Sequence, residues 1–231
     1  MKIALPAFLL TLICAASAVG QALADQTDNQ FWNETQVFFP IIKTKDKAGK
    51  TIEKLTFFVN GNLRFGQNMR HLADERIGFG ITYKYNKHIA LTPSYIYIAQ
   101  QPTPGRKQYE SRFRFAVGLE NHWKKFSIDD RNLVEYRLRN GSTDSVRYRN
   151  RLRYVHPIVK NEKEIFAPFV ADEVFYDFQD KAFTRNELSF GITKKFTPDV
   201  SADFFYLWQN NRSGAPKNMN VIGINLRFNV D

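Results

Sequence analysis

The stretch Arg112-Phe113-Arg114-Phe115-Ala116-Val117-Gly118-Leu119-Glu120 alternates at every step between an apolar residue and a polar or small one. A period of two sets Phe113, Phe115, Val117, Leu119 and, further on, Trp123 on one face of a β-strand, against Arg112, Arg114, Ala116, Gly118 and Glu120 on the other. Working outward, the pattern repeats. Leu55, Phe57, Val59, Leu63 and Phe65 oppose Thr56, Asn60, Asn62 and Arg64, and Ile77, Phe79, Ile81, Tyr83 and Tyr85 oppose Arg76, Gly78, Gly80 and Thr82. Val134, Tyr136 and Leu138 oppose Arg131, Glu135, Arg137 and Arg139; Leu188, Phe190 and Ile192 oppose Arg185, Glu187, Ser189 and Gly191. Near the end, Val200, Phe204, Tyr206 and Trp208 and then Ile222, Ile224, Leu226 and Phe228 close the series.

Eleven strand-like segments are predicted: 30–39, 54–66, 74–85, 88–99, 110–123, 126–139, 146–157, 164–177, 183–196, 199–210 and 218–229. No run approaches the ~18–20 apolar residues of a spanning helix. A chain with such strands either crosses a membrane as a closed barrel or folds as a soluble one. Hydrophobic residues make up 43% of the 231 and aromatic residues 15%, which excludes a disordered chain.

Residues 1–24 form a predicted signal peptide, with Lys2 at the start, an apolar stretch through Leu9, Leu10 and Val19, and Ala22-Leu23-Ala24 before the cut. The remaining 25–231 read as one β-barrel domain. Cys14, the only cysteine, falls in the removed segment, so disulfides, thiolate metal sites and a cysteine nucleophile are excluded from the exported chain.

Tight turns are predicted at Tyr85-Asn86-Lys87, Lys124-Lys125 and Thr197-Pro198-Asp199. Longer polar loops are predicted at Gln67–Leu72, Gln100–Gln108, Asn140–Ser145 and Asn210–Lys217. Aromatic residues gather near both ends of the apolar faces: Tyr83, Tyr85, Trp123 and Tyr154 beside the short turns, and Tyr95, Tyr97, Tyr206 and Trp208 toward the longer loops. Two belts suit two membrane interfaces. The expected fold is an all-β, antiparallel up-and-down transmembrane β-barrel of 10–12 strands. An even number is expected of a bacterial single-chain barrel, which singles out the first segment, where Phe31, Trp32, Val37, Phe38 and Phe39 do not alternate cleanly. Pro93 and Pro168 each remove a ladder donor, so irregular pairing is expected beside them.

The motifs Gly61-Asn62-Leu63-Arg64-Phe65-Gly66, Tyr136-Arg137-Leu138-Arg139-Asn140, Tyr148-Arg149-Asn150-Arg151-Leu152-Arg153, Asp172-Glu173-Val174-Phe175 and Thr184-Arg185-Asn186-Glu187 resemble a bacterial family labelled only as domain of unknown function 2490. The resemblance covers nearly all of the chain after the signal segment. It implies an exported outer-membrane barrel from a Gram-negative bacterium and brings no catalytic residues. The end of the chain departs from the usual aromatic terminus of such barrels, since Phe228 is followed by Asn229, Val230 and Asp231.

The polar faces carry an arginine ladder. Arg112, Arg114, Arg131, Arg137, Arg139, Arg147, Arg149, Arg151, Arg153 and Arg185 share those faces with Glu120, Glu135 and Glu187. Arginine keeps its charge and binds carboxylates in a planar fork, so the set reads either as an ionic network filling the interior or as a lining that attracts anions. The functions left open are a structural or binding barrel or narrow pore for small anionic solutes, a lipid-modifying hydrolase, and a soluble periplasmic ligand-binding barrel with reversed faces. His71, His88, His122 and His156 are scattered, and no serine lies in a Gly-x-Ser-x-Gly elbow. No cofactor is expected, and no metal-ligand spacing is present. The expected partners are outer-membrane lipid, lipopolysaccharide through Arg70, Arg106, Lys107, Arg212 and Lys217, and the barrel-assembly machinery during biogenesis. The net charge of +10 is not read as nucleic-acid binding, because the chain is exported and carries no such motif.

Overall fold

The computed structural model describes residues 27–45, 49, 51–101, 105, 107–212 and 216–230. The expected signal peptide and the loop residue Arg106 lie outside the described residues. No helix occurs among those described. The strands are β1 (Thr27–Lys45), β2 (Thr51–Gly66), β3 (His71–Lys84), β4 (Ile89–Gln100), β5 (Gln108–His122), β6 (Ser127–Arg139), β7 (Ser145–Val155), β8 (Ile158–Lys160), β9 (Lys163–Asp177), β10 (Ala182–Lys195), β11 (Val200–Asn211) and β12 (Asn218–Asn229). All but β8, a short hairpin arm on β9, run round one closed barrel.

Eleven strands therefore form the wall, where ten or twelve were expected. Antiparallel neighbours alone close only an even ring, so an odd ring needs one parallel pair. That pair is β1 with β12, in register from Thr27↔Asn218 to Phe38↔Asn229. Strand β1 is real although its alternation is blurred. Its inward side mixes Trp32 and Phe38 with Glu34 and Gln36, and its outward side mixes Phe31 and Val37 with Asn33 and Thr35.

The polarity of the wall is inverted relative to a soluble protein. Glu135 is 0% exposed and Arg112 5%, whereas Ile77 is 67%, Phe113 55% and Ile222 57% exposed. Large exposed apolar side chains thus line the outside of the strands and the arginines the inside, beside an inward apolar cluster of Trp32, Phe205, Leu207, Met219 and Val221; a ligand-carrying soluble barrel would reverse the two faces. The eleven wall strands run from 11 residues in β7 to 19 in β1, long enough to span a bilayer when tilted.

The prolines act as expected. Beside Pro93 the β3–β4 pairing is interrupted between Gly80↔Ser94 and Tyr83↔Leu91, with the register unchanged on either side. Pro168 lies just beyond the last β7–β9 pair, Val155↔Phe169, so the missing donor falls where that ladder stops. Both rims have short links, and the contrast between turns and loops is slight. The expected longer loop from Gln67 is a tight turn, with Gln67, Asn68 and Met69 at φ of 52°, 55° and 66°; the Asp28 carboxylate fixes it by accepting from the Gln67 and Asn68 amides at 3.1 and 2.9 Å.

Three phenylalanine rings lie flat against glycines on the inner wall. A Cβ on Gly80 or Gly191 would come within 2.6 Å of the Phe58 or Phe169 ring, and Gly223 accommodates Phe205 in the same way. The glycines let these rings hug the backbone, which leaves open space at the centre.

Parallel closure gives a direct test. With Asn33→Cys and Ile224→Cys, at positions paired across β1 and β12, oxidation of folded residues 25–231 is expected to form an intramolecular disulfide that changes migration in denaturing gels. Absence of the cross-link in verified folded protein would contradict the parallel seam.

Candidate functional site

From the loop rim inward, the upper half of the barrel is filled by an ionic plug. Arg112 forks onto Glu110, with Nε–Oε1 at 2.9 Å and Nη2–Oε2 at 3.0 Å, and Arg137 reaches the same carboxylate at 2.5 Å and Asp177 at 3.6 Å. Glu135 takes Arg147 at 2.6 Å, Arg149 at 3.2 Å and Arg112 at 3.7 Å. Arg149 also donates to Glu173 at 2.7 Å, and Arg131 meets the same oxygen at 2.8 Å. Strand geometry makes the chain of pairs possible. On antiparallel neighbours, inward residues of adjacent strands stand side by side, as in Arg114↔Glu135, Glu135↔Arg147 and Arg151↔Glu173.

At the centre of the plug Phe175, 1% exposed, is ringed by Arg149, Arg147 and Arg185, whose guanidinium carbons lie 4.5, 5.1 and 5.4 Å from its ring centroid. The ring gives these cations a quadrupole to rest on without requiring further acids. Arg185 also lies 3.6 Å from Glu187 and donates to Asn211 at 2.9 Å.

Below the plug lies a cavity of about 1250 Å³. On β5, β6, β7 and β9 its lining ends within the ionic network: Arg114 but not Arg112, Arg131 but not Glu135, Arg149 but not Arg147, Glu173 but not Phe175. It reaches the short-turn rim at Lys84, Lys87, His88, Glu120 and His122. The cavity therefore opens toward the turns, and on the β5–β9 side the ion pairs lie between it and the loop rim.

The arginines that face it fall into two groups. Arg76, Arg131, Arg149 and Arg153 are paired with carboxylates, and Asp203 holds both Arg153, at 3.3 Å, and Arg227. Arg64, Arg114 and Arg151 have no carboxylate within ion-pair distance among the described residues. Arg64 stacks on the Trp32 ring at 3.5 Å, Arg114 donates to the Ser94 hydroxyl at 3.2 Å, and Arg151 stands directly across from Arg131 with its Nε buried and unpartnered.

Two residues expected in the charge network sit elsewhere. Glu120 is at the turn rim, about half exposed, and pairs with His122 at 2.6 Å. Arg139 turns toward the loop rim and donates to the Thr143 carbonyl. Sequence reasoning did not single out Glu110, Asp177 or Asp74. Glu110 and Asp177 lie close to strand ends, where the alternation merges with loop residues. Asp74 forks with Arg76 two residues along the same strand, at 2.5 and 2.6 Å.

The aromatics expected in the two belts all lie on the outward side of the strands or at the rims. Tyr83, Tyr85, Trp123 and Tyr154 lie toward the turn rim, where Trp123 stacks on Phe126 at 4.7 Å and Phe126 meets Tyr154 at 5.5 Å. Tyr97, Tyr206 and Trp208 lie in the loop half. Tyr95 sits mid-wall between Phe79 and Phe113, at 5.7 and 5.3 Å. As for hydrolytic chemistry, Ser127 stands opposite His122 across β5 and β6, yet no hydrogen bond joins the two among the described residues. Asp172 and Glu173 point to opposite faces, outward and inward, so they form no acid/base pair.

These features define a class: a closed β-barrel of the membrane-spanning type with a charged, half-plugged interior. Residues 29–220 match the family described as "Protein of unknown function (DUF2490)", and the chain belongs to that family. Among solved structures, LpxR from Salmonella typhimurium is similar over 78% of this chain and 83% of that chain, at 9% sequence identity and a TM-score of 0.41. No curated protein matches the sequence.

Removing the Glu135 carboxylate leaves Arg112, Arg147 and Arg149 without their shared anion in a site that water does not reach. Glu135→Gln is expected to destabilise the refolded barrel by about 3–5 kcal/mol in denaturant unfolding from lipid vesicles. Glu120→Gln, at the solvated rim, is expected to stay within about 0.5 kcal/mol of wild type.

Proposed function

We propose that this protein is an outer-membrane barrel of a Gram-negative bacterium, exported by a cleaved signal peptide, that binds an anionic solute in its one-ended interior cavity. The observation that carries the reading is the trio Arg64, Arg114 and Arg151. These guanidiniums line the cavity without a carboxylate partner, while their neighbours are matched. A guanidinium out of bulk water gains most from a bidentate anion such as a phosphate or carboxylate. The low dielectric of the wall strengthens that attraction beyond what a surface site offers. The apolar exterior and its aromatic residues favour the membrane setting, and the plug favours binding over passage.

The test is calorimetric titration of the refolded chain with inorganic phosphate and pyrophosphate at low salt. Saturable binding is expected, weakening as ionic strength rises. The triple variant Arg64→Gln/Arg114→Gln/Arg151→Gln is expected to lose roughly a hundredfold or more in affinity, since each charge-assisted bond contributes about 1.5–3 kcal/mol. Equal binding by wild type and the triple variant, with both folded, would overturn the reading.

A further inference from the structure

The outward wall carries a feature that an apolar lipid-facing surface does not explain. Register places Asn132 of β6, Asn150 of β7, Val174 of β9, Asn186 of β10, Asn210 of β11 and Asn218 of β12 in a single cross-strand row. The adjoining row holds Asp130, Leu152, Asp172 and Leu188. Every one of these positions shares its strand parity with exposed outward residues such as Val134, Tyr154, Phe190, Tyr206 and Ile222. Strands of a closed barrel tilt, so a row perpendicular to them climbs the wall. It starts inside β6 and ends at Asn218, the first residue of β12, on the loop rim.

The stripe is knit together and rich in acceptors. Asn150 Nδ2 donates to Asp130 at 2.5 Å and to Asn132 at 3.2 Å, Asn132 donates to Asp130 at 3.2 Å, and the Tyr148 hydroxyl donates to Asn132 at 2.5 Å. Asn186 donates to Asp172 Oδ1 at 2.7 Å and to the Glu173 carbonyl at 3.4 Å. The amide hydrogens of Asn150 and Asn186 are thus committed internally. Neither Asp130 nor Asp172 has a cation within ion-pair distance among the described residues, and Asp172 is exposed. Asn210 Nδ2 donates to Asn218 Oδ1 at 2.9 Å, so the stripe's unmatched features are the negative charges of Asp130 and Asp172 and the amide oxygens of Asn150, Asn186 and Asn210, and an occupant that answers them brings positive charge and donors.

Two carboxylates left against acyl chains keep a desolvation penalty that their amide hydrogen bonds offset only in part, because no cation matches the charge. The wall arginines of a second copy point inward and do not supply the missing charge. Continuity with the loop rim shows how another occupant arrives: a headgroup at that interface meets Asn218 and Asn210 first, and Asn186, Asp172, Asn150 and Asp130 follow along the wall. Leu152, Val174 and Leu188 beside them suit the acyl chains.

We infer that this stripe is a docking track for a membrane lipid whose headgroup bears a primary ammonium. A primary ammonium brings three N–H donors and one positive charge, which is the complement of the two aspartates and the spare amide oxygens. The inference rests on the membrane placement proposed above but not on the cavity's ligand.

The test incorporates refolded residues 25–231 into nanodiscs of phosphatidylethanolamine and phosphatidylcholine mixed with the same share of phosphatidylglycerol. Retained lipid is then counted by native mass spectrometry. The trimethylated headgroup keeps the charge and removes the N–H donors. Wild type is expected to retain phosphatidylethanolamine over phosphatidylcholine by about tenfold, equivalent to about 1.4 kcal/mol. Asp130→Asn/Asp172→Asn is expected to abolish that preference, whereas Ser111→Ala, outward-facing on β5 and outside the stripe, keeps it. The inference is overturned if folded wild type shows no headgroup preference, if the double variant keeps it, or if the protein is an oligomer that buries the stripe. Phosphate titration reads the opposite face of the wall, so failure of either proposal leaves the other separately measurable.

Discussion

The structure turns on one buried carboxylate. Glu135 is the shared anion of Arg112, Arg147 and Arg149 and is removed from water altogether. A barrel wall that faces lipid must send its polar side chains inward, and charges sent inward must be matched or remain costly. Glu135 resolves that conflict at mid-chain. It links the Glu110–Arg112–Arg137 cluster on the loop side to the Arg149–Glu173–Arg131 cluster on the cavity side. The strand register follows from the same pairing, because a slip of one residue in β6 or β7 would turn this array out toward the acyl chains.

Much of the wall was legible in the sequence because a period of two is a local property. The last predicted segment, 218–229, coincides with β12, and the first, though blurred, lies within β1. The parallel seam was not legible, since alternation says which residues share a face and nothing about which strand is the neighbour. The even-number expectation failed for the same reason. It assumed that the chain closes on itself by antiparallel contacts throughout.

The site was legible in part. The arginine ladder stands out in Tyr148-Arg149-Asn150-Arg151-Leu152-Arg153, but the division into matched and unmatched members depends on cross-strand neighbours. Arg149 shares Glu135 and Glu173, whereas Arg151, two residues along, has no carboxylate bonded to it. The asparagine row was invisible for the same physical reason, because its members come from five strands and become neighbours only in the folded register. Val174 interrupts the row on β9, and nothing in the structure explains its presence there.

The inward and outward faces thus present opposite chemistry on the same strands, unmatched cations inside and unmatched acceptors outside, on either side of a wall one residue thick. Whether the plug closes the interior decides how the inner face is used. The most direct measurement is single-channel conductance of refolded residues 25–231 in a planar bilayer. A sealed upper half gives no discrete current steps from verified folded barrels, in agreement with a one-ended cavity. Reproducible anion-selective steps from the wild-type chain would contradict the plug and make the arginine-lined interior a pore.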